Sequence, residues 1–184
     1  MNALRTAEVI AVGSELLGWT RLDTNSLFIA DQLSRLGIEL KAKAVVGDDG
    51  DRIQAMFRRA LERVDLVILT GGLGPTDDDL TREAVAGALG LELEEHEEIT
   101  DRIRRRFERR GVPMPEVNRR QALVPRGAQW IPNANGSAPG LRLEVDRRMV
   151  VLLPGPPREL QPMLIALCAA GGAIASRAAA ERLH

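Results

Sequence analysis

The sequence predicts one α/β domain built on a mostly parallel, doubly wound sheet between two layers of helices, with an antiparallel pair of strands at one side. Strand-like apolar runs and helical segments alternate at least three times along the chain, which is the pattern of such sheets. The chain is 45% hydrophobic but only 3% aromatic, so its core must be aliphatic. An aliphatic core is typical of a sheet that helices cover on both faces.

The strands are predicted from apolar runs bounded by glycine or polar turns. The run from Leu66 to Leu69 is apolar without alternation, which indicates burial on both faces. Leu141, Leu143 and Val145 alternate with charged residues and predict a half-exposed strand that turns into a buried one. In chain order, the predicted strands span residues 7–12, 38–46, 66–69, 141–145 and 149–153.

Helices are predicted between and after these strands. The most regular apolar stripe runs from Ile53 to Val64 at helical spacing. The first helix begins at the capping residues 23–25, and the residues expected on its inner face are Leu27, Ala30, Leu33 and Leu36. In chain order, the predicted helices span residues 23–36, 53–64, 78–90, 97–110, 118–123 and 158–169.

The length of 184 residues suits a single domain. We assign residues 1–170 to this domain. Residues 171–184 are rich in Gly and Ala and show no clear packing face, so they are interpreted as a tail.

Composition argues against several classes of partner. The net charge is -1, and the arginines of residues 102–110 are balanced by acidic residues nearby, so no nucleic-acid partner is predicted. The single cysteine, Cys168, excludes an internal disulfide and is expected in the core. No apolar run approaches the roughly 20 residues that span a bilayer, and residues 1–6 lack an apolar signal core. We therefore expect a cytoplasmic protein without a membrane partner.

The two histidines, His96 and His184, are too few for a zinc site or a histidine-based catalytic triad. Any hydrolysis must then use carboxylates, backbone donors and a metal ion. In doubly wound sheets the ligand crevice lies beyond the carboxyl ends of the strands. The sequence therefore places residues 13–15, 70–79 and 154–157 on one rim.

The loop at residues 70–79 (TGGLGPTDDD) has the strongest chemical signal. Its glycines permit unusual backbone conformations and leave room for a ligand, and amides exposed before a helix attract anions. Three carboxylates then follow in a row, Asp77, Asp78 and Asp79, which is more than a helix cap requires. Adjacent carboxylates repel each other, and a cation such as Mg²⁺ bridging to substrate phosphates would relieve that repulsion.

Each of these stretches also has a plain structural interpretation. The loop alone fits a well-capped surface helix after a tight turn, and its spacing matches neither the Rossmann nor the P-loop fingerprint. Glu15 alone fits a solvated side chain, and residues 135–140 alone fit an ordinary loop.

Five stretches occur in a recognisable order, and they are residues 13–18 (GSELLG) with 23–26 (DTNS), 70–81 (TGGLGPTDDDLT), 118–122 (NRRQA), 135–140 (NGSAPG) and 153–159 (LPGPPRE). Together they resemble the N-terminal domain of the competence/damage-inducible protein A (CinA) family, within the wider molybdopterin-binding, molybdenum-cofactor-biosynthesis superfamily. The resemblance extends over residues 7–164. It implies a three-layer α/β/α sandwich of the molybdenum-cofactor-biosynthesis-protein type that forms homo-oligomers.

The resemblance also implies one of two activities. In the CinA-like branch the domain resembles a metal-dependent pyrophosphatase that splits ADP-ribose into AMP and ribose 5-phosphate. In the cofactor-biosynthesis branch the same crevice binds molybdopterin and supports its adenylylation or metal insertion. The GPTDDD form of the loop is more similar to the first branch. A nucleotide-binding module without catalysis is a third alternative.

The resemblance makes Asp79 the first candidate for a catalytic or metal-binding role, because it matches an acidic residue that both branches use, and Asp78 the second. We expect Asp78 and Asp79 to hold Mg²⁺ or a similar divalent cation, the loop amides to hold a diphosphate, and Glu15 to orient water. The expected ligand contacts are Gly13, Glu15, Asn25, Thr70, Gly71, Gly72, Leu73, Gly74, Thr76, Asn135, Gly136, Ser137, Gly155 and Pro156.

One departure from the family pattern concerns the C-terminal side. Full-length members often carry an amidohydrolase domain that acts on nicotinamide mononucleotide. This sequence ends at His184, so we expect that activity to be absent from it, whether the chain is a single-domain relative or a fragment.

Overall fold

A six-stranded mixed sheet forms the centre of the computed structural model, which describes residues 3–180. The strands are β1 Thr6–Val12, β2 Glu39–Val46, β3 Leu66–Thr70, β4 Leu93–Glu95, β5 Leu123–Pro125, β6 Gln129–Ile131, β7 Gly140–Val145 and β8 Arg148–Leu153. The helices are α1 Thr24–Arg35, α2 Gly50–Arg63, α3 Thr81–Leu89, α4 Glu97–Glu108, α5 Pro157–Cys168 and α6 Ala173–Ala178, with 3₁₀ turns at Ser14–Leu17 and Glu116–Ala122.

The strand order in the sheet is β2-β1-β3-β8-β7-β6. Strands β2, β1, β3 and β8 are parallel, whereas β7 and β6 continue the sheet in antiparallel pairing. A separate pair, β4 and β5, is also antiparallel. The predicted fold class, a mostly parallel doubly wound sheet with antiparallel strands at one side, is confirmed.

The core consists of two aliphatic layers, one on each face of the sheet. Strand β1 contributes to both, because alternate residues point to opposite faces. Ile10 and Val12 pack in the layer that includes residues of α2, α3 and α4, whereas Ala7 and Val9 pack in the layer that includes residues of α1, α5 and α6. The helices thus cover both faces, as the aliphatic composition predicts.

The inner face of α1 differs from the prediction. Ile29 and Leu33 are fully buried, but Leu27, which was expected on the inner face, is 60% exposed. Leu27, Phe28, Ile29 and Ala30 are consecutive and apolar, so periodicity alone could not decide which side of the helix faces the sheet. The Asp23 side chain caps the helix by accepting a hydrogen bond from the Ser26 amide.

Helix α3 begins later than predicted. It starts at Thr81 rather than near Asp78, and no side chain caps it. Residues 77–79 remain in the preceding loop because the Asp79 carboxylate turns back to Thr76. The predicted C-terminus at Gly90 is correct, since Gly90 adopts a left-handed conformation there.

Short strands also occur where the sequence suggested irregular structure. The segment 112–135 contains β5 and β6, and β4 precedes it. The helix expected at residues 118–123 is the 3₁₀ turn Glu116–Ala122. Strands of three residues carry too little periodicity to be seen in a sequence.

The start of the predicted tail is ordered and packed. Helix α6 buries Ile174 and Ala178 in the second core layer, which corrects the expectation that residues 171–184 lack a packing face. Gly172 lets the chain turn closely onto α5, because a side chain there would collide with the carbonyl oxygens of Ala166 and Leu167. Residues 181–184, including His184, lie outside the described residues.

The segment Pro157–Ala178 has the length and mean hydropathy of a membrane span, 22 residues and 1.3. This corrects the expectation that no apolar run approaches that length. The segment is two helices rather than one, and Leu160, Leu164 and Ile174 are fully buried within the core. Core packing accounts for part of this apolar composition, since 33% of the most apolar window is buried.

Candidate active site

A cleft of about 870 Å³ opens at the carboxyl ends of β1, β3 and β8. Its walls include the loops that follow these three strands, as predicted for a doubly wound sheet. The sequence-predicted residues that line it are Gly13, Glu15, Asn25, Thr70, Gly71, Gly72, Leu73, Gly74, Asp78, Asp79, Ser137, Gly155 and Pro156.

The carbonyl groups of the loop after β3 are held from the side of α3. The Thr81 hydroxyl donates a hydrogen bond to the Gly71 carbonyl at 2.7 Å, and the Thr81 amide donates to the Gly72 carbonyl at 3.1 Å. The Arg82 Nη2 donates to the Leu73 carbonyl at 3.0 Å. Three successive carbonyls therefore point toward the first turn of α3.

The amides that follow these carbonyls point the other way. In a trans peptide the N–H of one residue lies opposite the C=O of the residue before it, and no cis peptide occurs within residues 3–180. The amides of Gly72, Leu73 and Gly74 therefore point away from α3, and none of them donates a hydrogen bond to another described residue. A row of unpaired amides beside a cleft is a binding element for an oxyanion.

Two glycines permit this arrangement. Gly71 has a φ of +89°, and a side chain there would collide with the Val12 carbonyl oxygen of β1. Gly72 has a φ of +65°, and a side chain there would collide with the Thr81 hydroxyl. Only glycine combines the left-handed backbone with the close approach that the loop requires.

The three consecutive aspartates have different environments. Oδ2 of Asp79 accepts hydrogen bonds from the Thr76 amide at 2.9 Å and the Thr76 hydroxyl at 2.5 Å. Asp78 lines the cleft, is exposed, and forms no hydrogen bond or ion pair with another described residue. Asp77 points into solvent, where it pairs with Arg120 at 3.0 Å. The structure thus separates two aspartates of the cleft from one outside it.

Asn25 joins the first and last loops of the cleft. Its Nδ2 donates a hydrogen bond to the Gly155 carbonyl at 2.7 Å. Its Oδ1 is buried and accepts no hydrogen bond within the described part of the chain. A buried acceptor without a donor is costly, so this oxygen is suited to a donor that a ligand brings.

Three of the predicted contact residues do not line the cleft: Thr76, Asn135 and Gly136. Thr76 supports Asp79, as described above. The Asn135 side chain donates to the Arg158 carbonyl at 2.7 Å. The Gly136 amide donates to Asn133 Oδ1, and a side chain at Gly136 would collide with the Glu159 carboxylate. Asn135 and Gly136 therefore support the loop around Ser137 from outside the cleft.

Six other polar residues line the cleft without having been predicted as site residues: Arg21, Asp23, Thr24, Asp48, Gln121 and Glu159. Glu159 is only 7% exposed and accepts a hydrogen bond from Asn133 Nδ2 at 2.8 Å. Gln121 and Glu159 lie within the stretches that carry the family resemblance, so a signal for both was present. Asp48 follows the end of β2, where a strand-ending loop could also have indicated it.

The remaining candidate residues lie elsewhere. His96 precedes α4 and does not line the cleft. Cys168 is half-buried at the end of α5, and burial raises the pKa of its thiol to about 11. Arg106 of the arginine cluster donates to the carbonyls of Ala134 and Asn135 at 3.2 and 2.8 Å, so it anchors a loop. Burial, reinforced by nearby arginines, lowers the pKa of Arg106.

Comparison with known proteins identifies the family. A model described as "Probable molybdopterin binding domain" matches residues 8–170. The chain is 51% identical over 157 residues to a putative competence-damage inducible protein of Caldicellulosiruptor bescii, and 48% identical over 162 residues to a CinA-like protein of Solibacter usitatus. The chain belongs to the CinA family. The matches cover 85% and 88% of this chain but 38% and 39% of those relatives, so it spans about two fifths of their length.

Solved structures agree with this membership. The crystal structure of the protein CinA with unknown function from Thermoplasma acidophilum has a TM-score of 0.83 and 37% identity, and the match covers 89% of this chain and 96% of that chain. A molybdopterin biosynthesis protein from Mycobacterium abscessus has a TM-score of 0.61 and 21% identity over 96% of this chain and 97% of that chain. The second likeness concerns the fold alone.

The residues that line this cleft fit a divalent cation that is coordinated jointly by the protein and by a bound ligand. Within residues 3–180 no three His, Cys, Asp or Glu side chains stand close enough to cage a metal by themselves. The ionisable residues lining the cleft are six carboxylates and one guanidinium, namely Glu15, Asp23, Asp48, Asp78, Asp79, Glu159 and Arg21. Mg²⁺ usually binds through one or two carboxylates together with substrate phosphates. Asp78 and Asp79 supply two carboxylates beside the loop amides.

Proposed function

We propose that the cleft binds the diphosphate group of a nucleotide-derived ligand. The observation that carries this proposal is the row of unpaired amides at Gly72, Leu73 and Gly74, whose preceding carbonyls are all held by α3. Backbone amides recognise phosphate oxygens without regard to the rest of the ligand. The cleft volume of about 870 Å³ lies within the usual range for small-molecule sites and suits a ligand of the size of ADP-ribose.

A divalent cation at Asp78 and Asp79 is the second part of the proposal. The cleft is lined by six carboxylates and one guanidinium, so it would repel the negative charge of a diphosphate. A cation that bridges the carboxylates and the diphosphate would offset this repulsion. Such a cation, when bound, would polarise phosphorus–oxygen bonds and lower the pKa of a coordinated water. Asp79 is held in place by Thr76, whereas Asp78 is free to turn toward a ligand. Glu15 is our proposal for the group that orients the attacking water.

On this basis we propose that the chain is a metal-dependent pyrophosphatase that hydrolyses ADP-ribose, or a similar nucleotide diphosphate, to AMP and ribose 5-phosphate. The family resemblance supports this substrate, and the GPTDDD loop supports the CinA-like branch. The diphosphate would lie on the loop amides, with ribose and base extending toward Ser137 and the rigid turn at Gly155 and Pro156. Asn25 Oδ1 would accept a hydrogen bond from a ligand hydroxyl.

The test is turnover of ADP-ribose with Mg²⁺, with AMP measured by chromatography, in the wild type and in three matched variants. Asp79→Asn removes the charge but keeps an oxygen that accepts both hydrogen bonds from Thr76. Asp78→Asn removes the second charge, and Asp31→Asn, on the exposed face of α1 outside the cleft, is the control. We expect the first two rates to fall at least about tenfold and the control to stay near wild type, because even supporting residues of metal sites cost about 10–100-fold.

Two results would contradict the hydrolase proposal. One is a wild type that forms no AMP with any divalent cation, and the other is an Asp79→Asn variant of undiminished rate. Removal of the cation with EDTA should abolish turnover, and added Mg²⁺ should restore it. Turnover that continues in the presence of EDTA would show that no metal ion is required. The proposed phosphate-binding site would not be affected by that result.

Pterin-cofactor binding is the second candidate function. It is favoured by the description of the matching family model. Binding of molybdopterin without turnover of ADP-ribose would favour this candidate. A non-catalytic nucleotide-binding module is the third, and ADP-ribose affinity without turnover under any divalent cation would favour it.

We further propose that the chain forms a homo-oligomer and acts in the cytoplasm, without nucleic-acid or membrane partners. The family resemblance supports the first statement, the net charge of -1 supports the absence of a nucleic-acid partner, and the burial of Leu160, Leu164 and Ile174 supports the absence of a membrane partner. Sedimentation equilibrium of the purified chain tests the oligomer, and a monomer at all concentrations would exclude it. Fractionation of cells that produce the protein tests the compartment.

A further inference from the structure

Arg82 is an arginine of the first turn of α3 that is only 1% exposed. Its Nη2 donates to the carbonyl of Leu73, in the first half of the loop formed by residues 70–79, which we call the phosphate loop because of its proposed ligand. Burial lowers its pKa, and the nearby Arg120 guanidinium lowers it further, while Glu83 and Asp79 act in the opposite direction. An arginine in this position keeps its charge in an environment that disfavours charge.

Glu83 connects Arg82 to a second arginine. Its Oε1 lies 3.7 Å from Arg82 Nη1 and accepts a hydrogen bond from Arg120 Nη2 at 3.1 Å. Arg120 Nη1 donates in turn to the Thr76 carbonyl at 2.8 Å, in the second half of the loop. One carboxylate oxygen thus links two guanidinium groups, and each guanidinium holds one carbonyl of the same loop.

The hydrogen bonds of this group are incomplete. Nε and Nη1 of Arg82 and Oε2 of Glu83 are buried and have no hydrogen-bond partner within residues 3–180. Buried ionic groups with unfilled hydrogen bonds often stabilise a fold less than apolar side chains of similar volume. Stability alone is therefore a poor explanation for Arg82, the fully buried member of the three, and the contacts of Arg82 and Arg120 with two loop carbonyls indicate another role.

We propose that Arg82, Glu83 and Arg120 form a brace that sets the conformation of the phosphate loop. By holding the carbonyls of Leu73 and Thr76, the brace turns the Gly74 and Asp77 amides to the opposite side of the backbone. These three residues act through the loop and are positioning residues. The identity of the anion that these amides bind rests on the proposed function. The role of the brace in setting the loop conformation does not.

The experiment compares Arg82→Met, Arg82→Lys and Arg120→Met with wild type in three measurements: thermal midpoint, hydrogen exchange of the Thr76 and Asp79 amides, which are hydrogen-bonded within the loop, and calorimetric affinity for inorganic pyrophosphate with Mg²⁺. Arg177→Met is the matched control. Arg177 is 4% exposed and donates to the Arg147 carbonyl at 2.7 Å while pairing with Glu144, at the opposite end of β8 from the cleft.

We expect Arg82→Met and Arg120→Met to raise the loop exchange rate and weaken pyrophosphate binding by about tenfold, which corresponds to a loop that adopts its binding conformation about one tenth of the time. Arg82→Met should also lower the thermal midpoint, because it leaves the Leu73 carbonyl without its donor, so binding and exchange are compared at a temperature at which each variant is folded. Arg82→Lys keeps one donor but lacks the planar fork, so it should restore part of the affinity. Arg177→Met should lower the midpoint without changing loop exchange.

A folded Arg82→Met variant with wild-type loop exchange and wild-type affinity would overturn the brace. If Arg82→Met does not fold, Arg120→Met decides the question, because the Arg120 side chain is 27% exposed and its loss is better tolerated. If wild type binds no pyrophosphate, the proposed function fails, and the exchange rates of the loop still test the brace.

Discussion

The buried hydroxyl of Thr81 donates a hydrogen bond to the carbonyl oxygen of Gly71 at 2.7 Å. This bond joins the end of β3 to the start of α3 across the loop between them. Thr81→Val should leave the Gly71 carbonyl without a donor and reduce the free energy of unfolding by about 1–3 kcal/mol. Urea denaturation measures this loss, and Thr81→Ser, which keeps the hydroxyl, is the control. A Thr81→Val variant as stable as wild type would contradict this role of the hydroxyl.

The position of Gly71 should be far less tolerant than that of another left-handed glycine. At Gly71 a methyl group would collide with the Val12 carbonyl, whereas at Gly90, with a φ of +66°, nothing lies within 4 Å. Gly71→Ala should therefore lower the free energy of unfolding by about 3 kcal/mol or more, and Gly90→Ala by about 1–2 kcal/mol. Parallel urea titrations measure both. Similar losses of unfolding free energy in the two variants would contradict a close contact between residue 71 and the Val12 carbonyl of β1.

Asp65 should make the fold less stable in acid. Burial by itself would raise the pKa of Asp65, but hydrogen bonds from the Arg5 and Thr6 amides and the Thr6 hydroxyl outweigh burial and hold this pKa below 3.8. A carboxylate whose pKa is lowered by folding stabilises the fold above its unfolded pKa, near 3.9, and that contribution is lost as the pH falls through the folded pKa.

The measurement for Asp65 is urea unfolding of wild type and Asp65→Asn between pH 7 and pH 3. The wild type should be the more stable protein from pH 7 to about pH 5, and the difference should shrink below about pH 4. A difference that stays constant over this range would show that the charge of Asp65 is not involved.

Cys168 should react slowly with alkylating reagents. Burial raises the pKa of its thiol to about 11, so little thiolate is present near neutral pH. Relative to an exposed thiol with a pKa of about 8.5, the thiolate fraction at pH 8 is lower by roughly 200-fold. The iodoacetamide rate of the folded protein, compared with that in urea, measures this difference. A rate that saturates below pH 9 would contradict the raised pKa.

The sequence predicted the sheet class and the three loops of the cleft because both depend on strong local patterns. Leu66 to Leu69 is apolar without interruption, and glycine or proline follows each strand of the rim. The side of α1 that faces the core could not be predicted, because Leu27 and Ile29 are equally apolar. The ordered helix α6 could not be predicted either, because it depends on tertiary contacts. Ile174 of this helix is buried by residues distant in the chain.

The roles of Asp77, Asp78 and Asp79 could be separated only in three dimensions. As neighbours in the sequence they are chemically alike, and helix-capping rules favour a cap among them. The hydrogen bonds from Thr76 hold Asp79 in the loop, and Arg120, which is 43 residues away, pairs with Asp77 on the outer side. Long-range partners such as Arg120 carry no local sequence signal.

The central claim is that the amides of Gly72, Leu73 and Gly74 bind a phosphate oxyanion. A titration of ¹⁵N-labelled chain with inorganic pyrophosphate, with and without Mg²⁺, tests it most directly by following each backbone amide. We predict that these three amides show the largest saturable shifts, and that Mg²⁺ tightens the binding. Saturable shifts that leave these amides unmoved, or that centre on the arginines of residues 102–110, would contradict the claim.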